Sequence, residues 1–337
     1  MANRSPIRLG LIGAGVFARD AHLPAIKALG DTFQIAAVYS RTQATADSFA
    51  RLLPTPPQVY TDLDALLANP DLDALNVLLP IEQLAPAVEK ALATGKHVIS
   101  EKPIAHNIAA GRRLLELHAQ RPDQVWMVAE NWRYEAAFMQ ASEVIQHGEI
   151  GQPLVFHWAL HIPFMPDSKY YPSGWRRSGT FPGGLLMDGG VHHAAVIRMI
   201  LGEIASVSAE TAQMRPDLPP ADTVSAALRL NSGVIGHYTV NYTASASFQT
   251  YLSVVGTKGS LRVSRDLLEV SVGHSTRSTT FGESHGVYAE FAAFAAAIND
   301  GIPHRNSPQA ALQDVAVVEA ILNSAASGQR VTVERFI

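Results

Sequence analysis

Four groups of residues in this chain combine types and spacings that could do chemistry. The first, Gly13-Ala14-Gly15-Val16-Phe17-Ala18, lies between an apolar run and a helical segment. Gly13 permits a tight turn and Gly15 lets the backbone approach a pyrophosphate. Ala18 is small enough for close helix–strand packing, and the helix N-terminus faces the phosphates. In a strand–turn–helix setting the pattern points to dinucleotide binding. The second group, Tyr39-Ser40-Arg41-Thr42, ends the next strand, where an acidic residue would hold the ribose 2′-hydroxyl of NAD; none is present. A serine hydroxyl and a guanidinium suit a 2′-phosphate, which favours NADP, with NAD the alternative. As a bland alternative, Arg41 is a solvated surface charge.

The third group is Glu101-Lys102-Pro103, placed directly after the apolar run His97–Ser100. Open α/β sheets bind ligands at the carboxyl edge of their strands, and a lysine there can donate to a substrate oxygen while keeping its charge. Taken alone, the tripeptide fits an ordinary surface pair with a turn proline equally well. The fourth group runs from Gly183-Gly184 to Asp188-Gly189-Gly190-Val191-His192-His193. A helix starting near Leu185 puts Asp188 and His192 four apart on one face. A carboxylate that orients an imidazole gives a proton donor and acceptor near neutral pH. By itself the cluster is also readable as a satisfied core histidine beside a helix-start aspartate. His193 points elsewhere on any helix and reads as structural. There is no His-Glu-x-x-His motif, the other histidines lack ligand spacing, and no metal is expected.

The elements that must hold these groups follow from hydrophobic patterning. Strands are expected at Ile7–Ile12, Gln34–Tyr39, Ala74–Leu79, His97–Ser100 and Val125–Ala129. Helices are expected at Phe17–Leu29, Gln43–Leu52, Ala85–Thr94 (capped by Gly95) and Ile108–Ala119. Near-continuous apolar strands alternating with helices mean βαβ units and a parallel sheet covered on both faces. After about residue 150, strands dominate: Leu154–His161, Ser206–Gln213, Thr223–Leu230, Val234–Tyr242, Thr250–Val255 and Ser260–Val263. Turns at Asn231-Ser232-Gly233 and Gly256-Thr257-Lys258-Gly259 suit an open antiparallel sheet. Two helices close the chain. Phe291, Phe294, Ala295 and Ile298 share one face of the first; the second starts after Ser307-Pro308, ends at Gly328, and carries Leu312, Val315, Val318 and Leu322 as a packing stripe.

The 337 residues suggest two domains at about 150 residues each, drawn as 1–122 and 123–337. With 26 Lys plus Arg against 30 Asp plus Glu the net charge is −4, which argues against a nucleic-acid partner. Charged residues make up only 17%, a composition consistent with surface covered by other subunits. The absence of cysteine excludes disulfides, thiolate nucleophiles and Cys-ligated zinc. No apolar run reaches the ~18 residues of a membrane span, and Met1 to Arg8 carries no signal-peptide stretch, so a soluble cytoplasmic protein is expected.

In their order along the chain, the glycine fingerprint, Gly95-Lys96-His97-Val98 leading into Glu101-Lys102-Pro103, and the Gly-Gly segment ending in Asp188-x-Gly190-x-His192 resemble the glucose–fructose oxidoreductase / inositol dehydrogenase / rhizopine-catabolism (Gfo/Idh/MocA) oxidoreductases. The resemblance extends over essentially the whole chain, including Tyr171-Pro172-Ser173-Gly174-Trp175-Arg176 and Ser324-Ala325-Ala326-Ser327-Gly328. It implies an α/β protein: an N-terminal Rossmann domain plus a C-terminal α/β domain whose open, mostly antiparallel sheet supports a homo-oligomer, dimer or tetramer. It implies hydride transfer between nicotinamide and a hydroxyl-bearing carbon of a sugar, cyclitol or related small molecule. On that resemblance Lys102 binds the reacting hydroxyl, His192 is the acid/base and Asp188 its acidic partner. Gly13, Ala14, Gly15, Val16, Phe17, Ser40, Arg41, Leu79, Pro80, Glu101 and Lys102 would line the cofactor. The Lys102–Pro103 bond is a candidate for the cis form.

Two departures stand out. Pro80-Ile81-Glu82-Gln83-Leu84 replaces the family's Pro-Asn-x-x-His, so Leu84 cannot make a polar contact there, and Ala195 replaces an aspartate. Substrate contacts are expected from Asn131, Arg133, Tyr134, Tyr171, Trp175 and Arg176. Aromatic rings cover the apolar face of a sugar, and Arg and Asn bind hydroxyls; an oligomer-interface loop would have a similar composition. A non-catalytic nucleotide-binding regulator of the same fold is the competing function, and hydride addition to C=N a third.

Overall fold

The structure, a computed structural model, describes residues 5–246, 250–283 and 285–337, so the first four residues of the Met1–Arg8 stretch lie outside them. Contacts divide it into two compact units, Met1–Asn131 with Val287–Leu312 and Trp132–Gly286 with Gln313–Ile337.

The first unit is built on strands β1 (Ile7–Ile12), β2 (Phe33–Tyr39), β3 (Gln58–Tyr60), β4 (Ala74–Val77), β5 (His97–Glu101) and β6 (Trp126–Ala129). Helices α1 (Leu23–Ala28), α2 (Gln43–Ala50), α3 (Leu63–Leu67), α4 (Ile81–Ala93) and α5 (Ile108–His118) connect them. The sheet is parallel throughout, in the order β3-β2-β1-β4-β5-β6. The order reverses between β1 and β4, the switch point at which such sheets bind ligands. Register decides what lies there. Ile12 pairs with both Tyr39 and Val77, and Val77 with Ser100. The residues that follow, Gly13, Ser40, Leu78 and Glu101, are therefore brought to one edge.

Local chemistry explains the helix limits. Thr42 caps α2 by accepting from the Thr45 amide, and Asn107 caps α5 by accepting from the Ala110 amide. The expected helix Phe17–Leu29 is not uniform, because its start is wound as a π-helix over Ala18–His22 before α1 begins. Helix α4 begins at Ile81, four residues before the expected Ala85, and takes Pro86 into its interior. Burial of Ile81 and Leu84 extends the apolar face upstream of that proline.

The second unit begins with helix α6 (Ala136–Gln146) and strand β7 (Pro153–His161), then α7 (Leu185–Leu201), β8 (Ile204–Ala212), β9 (Thr223–Leu230) and β10 (Ile235–Asn241). It continues with β11 (Leu252–Gly256), β12 (Gly259–Val263), β13 (Leu267–Val272), β14 (Ser275–Thr280), α8 (Gly286–Asp300), α9 (Pro308–Ser327) and β15 (Val331–Thr332), with most of α8 belonging to the first unit. Its nine strands run β14-β13-β12-β11-β7-β10-β9-β8-β15, antiparallel except for the parallel pair β7–β10. Alternating burial along β7, β9 and β10 marks a sheet with one covered face. On the covered side, Ser142 Oγ of α6 donates to Met199 O of α7 at 2.8 Å, and Ser324 Oγ of α9 accepts from Ala209 N of β8 at 3.0 Å.

The expected single division after residue 122 differs from this grouping. The strand Trp126–Ala129 lies in the first sheet, and α8 returns to the first unit's core. There Phe291 meets Phe33 edge-on at 5.7 Å, and Phe294 stacks on Phe33 at 6.4 Å. Each such buried ring contributes about 1.5–3 kcal/mol, enough to hold the helix in place.

Candidate active site

The residues expected to line the cofactor lie in the first unit. Gly13 has φ +107°, its amide donates to Tyr39 O at 3.0 Å, and a Cβ on it would meet Leu78 O at 2.2 Å. No other residue fits this crossing of β1, β2 and the β4 end. Gly15 behaves differently: a Cβ on it would meet nothing within 4 Å. That open space at a helix start is what a pyrophosphate approaching bare backbone requires, so the residues present fit a dinucleotide. Ala14 and Ala18 are buried, Val16 is exposed, and Phe17 is half-buried. Ser40 donates its amide to Tyr60 O at 3.2 Å, and Arg41 is exposed, with no ion pair among the described residues. Leu79 and Pro80 are half-buried, and Pro80 is the residue before α4.

Glu101 ends β5, and its Oε1 lies 2.8 Å from His22 Nε2. Lys102 is half-buried, and its bond to Pro103 is cis. Leu84 and Ala195, the two departures from the family pattern, are packed into the interiors of their own units.

Asp188 and His192, the expected acid/base pair, lie in the second unit on α7. Gly183 and Gly184 precede the helix at positive φ, and a Cβ on Gly184 would meet Pro219 O at 2.5 Å. Helix α7 carries Asp188 and His192 one turn apart, both half-buried. The His192 ring stacks on Trp132, with centroids 5.0 Å apart and planes at 11°. Asp188 Oδ2 accepts from Arg176 Nε at 2.8 Å. His193 is buried, with Nδ1 2.6 Å from the Tyr238 hydroxyl. Burial pushes the Tyr238 pKa well above its ordinary value, so this hydroxyl stays protonated beside the ring.

The aromatic and basic segment is ordered by its own contacts. Arg176 lies over Trp175 at 4.1 Å and donates from Nη1 to Ser173 Oγ at 2.8 Å. Tyr171 donates to Asp217 Oδ2 at 2.7 Å and is covered by the Arg177 guanidinium at 4.2 Å. Hydrogen bonds from Arg215 and then Tyr171 hold the Asp217 carboxyl below its ordinary pKa. Asn131 and Tyr134 are half-buried on a 3-10 turn. Arg133, expected among the substrate contacts, is buried, and its Nη2 meets Asp314 Oδ2 at 2.5 Å. Its charge is compensated within the unit, together with an Arg198–Asp314 and a bidentate Arg198–Glu203 pair.

Sequence reasoning missed His22, Asn76, Arg198 and Asp314. One signal was available: Asn76 is the only polar residue in Ala74–Val77, and a polar residue in a fully buried strand needs a partner.

Glycine turn, open phosphate position and parallel sheet order define a dinucleotide-binding unit of the Rossmann class, carried in one chain with a separate α/β unit. The comparisons assign the family. Residues 7–129 match the oxidoreductase family's NAD-binding Rossmann fold, and residues 142–333 match its C-terminal alpha/beta domain, the two halves of Gfo/Idh/MocA proteins. The chain is similar to the dehydrogenase FPY6 of Fusarium mangiferae, 32% identical over 95% of this chain and 97% of that one. It is similar to the 1,5-anhydro-D-fructose reductase of Ensifer adhaerens, 27% identical over 97% and 98%. A crystal structure of an oxidoreductase from Thermotoga maritima superposes with a TM-score of 0.91 at 35% identity, covering 98% of this chain and all (100%) of that one. The chain belongs to the Gfo/Idh/MocA oxidoreductase family and is an NAD(P)-dependent oxidoreductase. Among the described residues, no helix is long and apolar enough to cross a membrane.

Proposed function

We propose that this protein interconverts a hydroxyl and a keto group on a sugar, cyclitol or related polyol, with NADP preferred over NAD. The observation that carries the reading is the register of the first sheet, which puts the glycine turn, Ser40-Arg41 and Glu101-Lys102 at one carboxyl edge. The sugar class follows from the likeness to the anhydrofructose reductase and from the aromatic, arginine-rich segment around Trp175.

The nicotinamide, when bound, supplies or takes up the hydride. Lys102 donates a hydrogen bond to the reacting oxygen and balances the negative charge that develops there. His192 gives or takes the hydroxyl proton, with its ring orientation set by Trp132. Asp188, one helical turn before His192, is the acidic partner in this reading, and Arg176 holds that carboxylate in place. Ser40 and Arg41 take the 2′-phosphate. The exposed Ile235 on β10 and Val255 on β11, both in register with Val155 of β7, support assembly of copies through the open sheet face.

The test is NADP-linked turnover on the best substrate from a screen of sugars, cyclitols and keto sugars. His192→Ala is expected to lower kcat by about 10²–10⁴-fold while leaving NADPH affinity nearly unchanged. Lys102→Met is expected to cost at least as much, because the developing alkoxide loses its cation. Undiminished turnover in both variants would overturn the assignment.

A further inference from the structure

Between the glycine loop and α1 the chain makes a π-helical turn, Ala18–His22. Such wide turns are uncommon and concentrate at functional sites. The last side chain of this one, His22, is completely buried and lies edge-on to Phe17 at 5.2 Å and to Phe291 at 5.0 Å. Both ring nitrogens are engaged. Asn76 Nδ2, in β4, donates to Nδ1 at 3.0 Å, so Nε2 carries the hydrogen and donates to Glu101 Oε1 at 2.8 Å. A neutral imidazole thus bridges the helix behind the phosphate turn to the last residue before Lys102.

Core packing alone does not call for this bridge. Asn76 stands in a strand whose other residues are Ala, Leu and Val, and its Oδ1 is buried without a hydrogen-bond partner. Burying an unsatisfied amide oxygen costs stability. What the arrangement secures is direction: with Asn76 holding one side of the ring, His22 can meet the Glu101 carboxylate in only one orientation.

We propose that His22 is a positioning residue for Lys102, fixing the Glu101 carboxylate so that the lysine following it starts from a set place relative to the glycine turn. This rests on reading Lys102 as the residue that holds the substrate oxygen. Misplacing a reacting group by about 1 Å costs up to about 10²-fold in rate, so loss of the bridge falls mainly on kcat.

Two near-isosteres separate positioning from packing. The glutamine amide nitrogen reaches roughly where histidine Nε2 lies, and the asparagine amide only where Nδ1 lies. His22→Gln therefore keeps a donor for Glu101, while His22→Asn keeps only the Asn76 contact. Both lose the ring's packing against Phe17 and Phe291, so their thermal midpoints are expected to fall together. We expect His22→Gln to stay within about threefold of wild-type kcat and His22→Asn to lose at least about tenfold, with NADPH Kd and substrate KM moving less than about threefold. Glu101→Ala, which spares the ring, is expected to lose kcat as His22→Asn does, and the double variant to lose little more than either. If His22→Asn fails to fold, Glu101→Ala carries the comparison with His22→Gln. Equal kcat in His22→Gln and His22→Asn, full kcat in Glu101→Ala, or losses that track only the thermal midpoint would overturn the proposal. Lys102→Met is assayed alongside. If it is inactive while the His22 pair is equal, only the positioning role falls; if it is fully active, the reading of Lys102 falls and the positioning role with it.

Discussion

The two units differ in where their aligned polar groups lie and how their buried charges are paired. In the parallel unit the interior strands are covered on both faces, single polar groups such as His22, Asn76, Glu130 and Glu290 are buried, and register aligns Gly13, Ser40, Leu78 and Glu101 at the carboxyl edge. In the antiparallel unit only one sheet face is covered, and charge is taken inside. Arg133, Arg198, Asp314 and Glu203 form a network of two cations and two anions behind α7. The edge of the first unit can therefore vary in ligand preference without disturbing its core. Helix α7 of the second unit rests on a charge balance that no single residue can leave cheaply.

The largest expected effect tests that balance. Asp314→Asn leaves two buried guanidiniums short of one carboxylate and is expected to cost about 3–5 kcal/mol. Denaturant unfolding should show the loss in the second unit's transition, while NADPH titration of the still-folded protein remains near wild type. A parallel loss of cofactor binding would erase the contrast between the units.

Acid should single out the first unit. Burial pushes the His304 pKa down to about 4, mainly by disfavouring the charged ring. The unfolded ring titrates near 6.5, so the native neutral form is favoured in full above pH 6.5. That advantage is lost as pH falls toward 4, amounting to about 3 kcal/mol. Thermal midpoints measured from pH 7 to pH 4 should fall less steeply in His304→Gln than in wild type; identical slopes would remove His304 as the cause.

A smaller effect is expected at the sheet edge. Ser40→Asp puts a negative charge where NADPH would carry its 2′-phosphate and should weaken NADPH by about tenfold or more while sparing NADH. Calorimetric titration of both cofactors checks this, and Arg41→Ala should narrow the gap between them.

The smallest effect belongs to α7. The Tyr242 hydroxyl is buried with no hydrogen-bond partner, and burial together with the nearby Asp188 raises its pKa. A Cβ on Gly189 would meet that oxygen at 2.1 Å. Tyr242→Phe is therefore expected to change stability by less than about 1 kcal/mol, because it removes an unsatisfied group. Gly189→Ala should destabilise alone and be partly rescued in the Tyr242→Phe background. Equal damage in both backgrounds would move the clash elsewhere.

Legibility followed the same division. Each element of the first sheet that carries a chain-local signal was readable: the strand Ile7–Ile12, the fingerprint at Gly13, and His97–Ser100 leading into Lys102. Short β3 and α3 were missed because three to five residues hold too little periodicity. In the second unit Thr223–Leu230 was readable from strict alternation, and Asp188 and His192 from their spacing of four. The hairpin β13–β14 was missed because β14 is Ser, Thr and Arg with no apolar side to alternate.

By itself the sequence determined the two sheet types and the residues whose spacing lies within one turn or one strand, because periodicity and turn chemistry act over a few residues. Tertiary structure alone decided that α8 returns to the first core, that His22 meets Asn76 and Glu101 from 54 and 79 residues away, and that Arg133 meets Asp314 across 181. A side chain's type states that it needs a partner when buried, but which partner it finds depends on the segments that fold against it. Nothing in a local pattern carries that information.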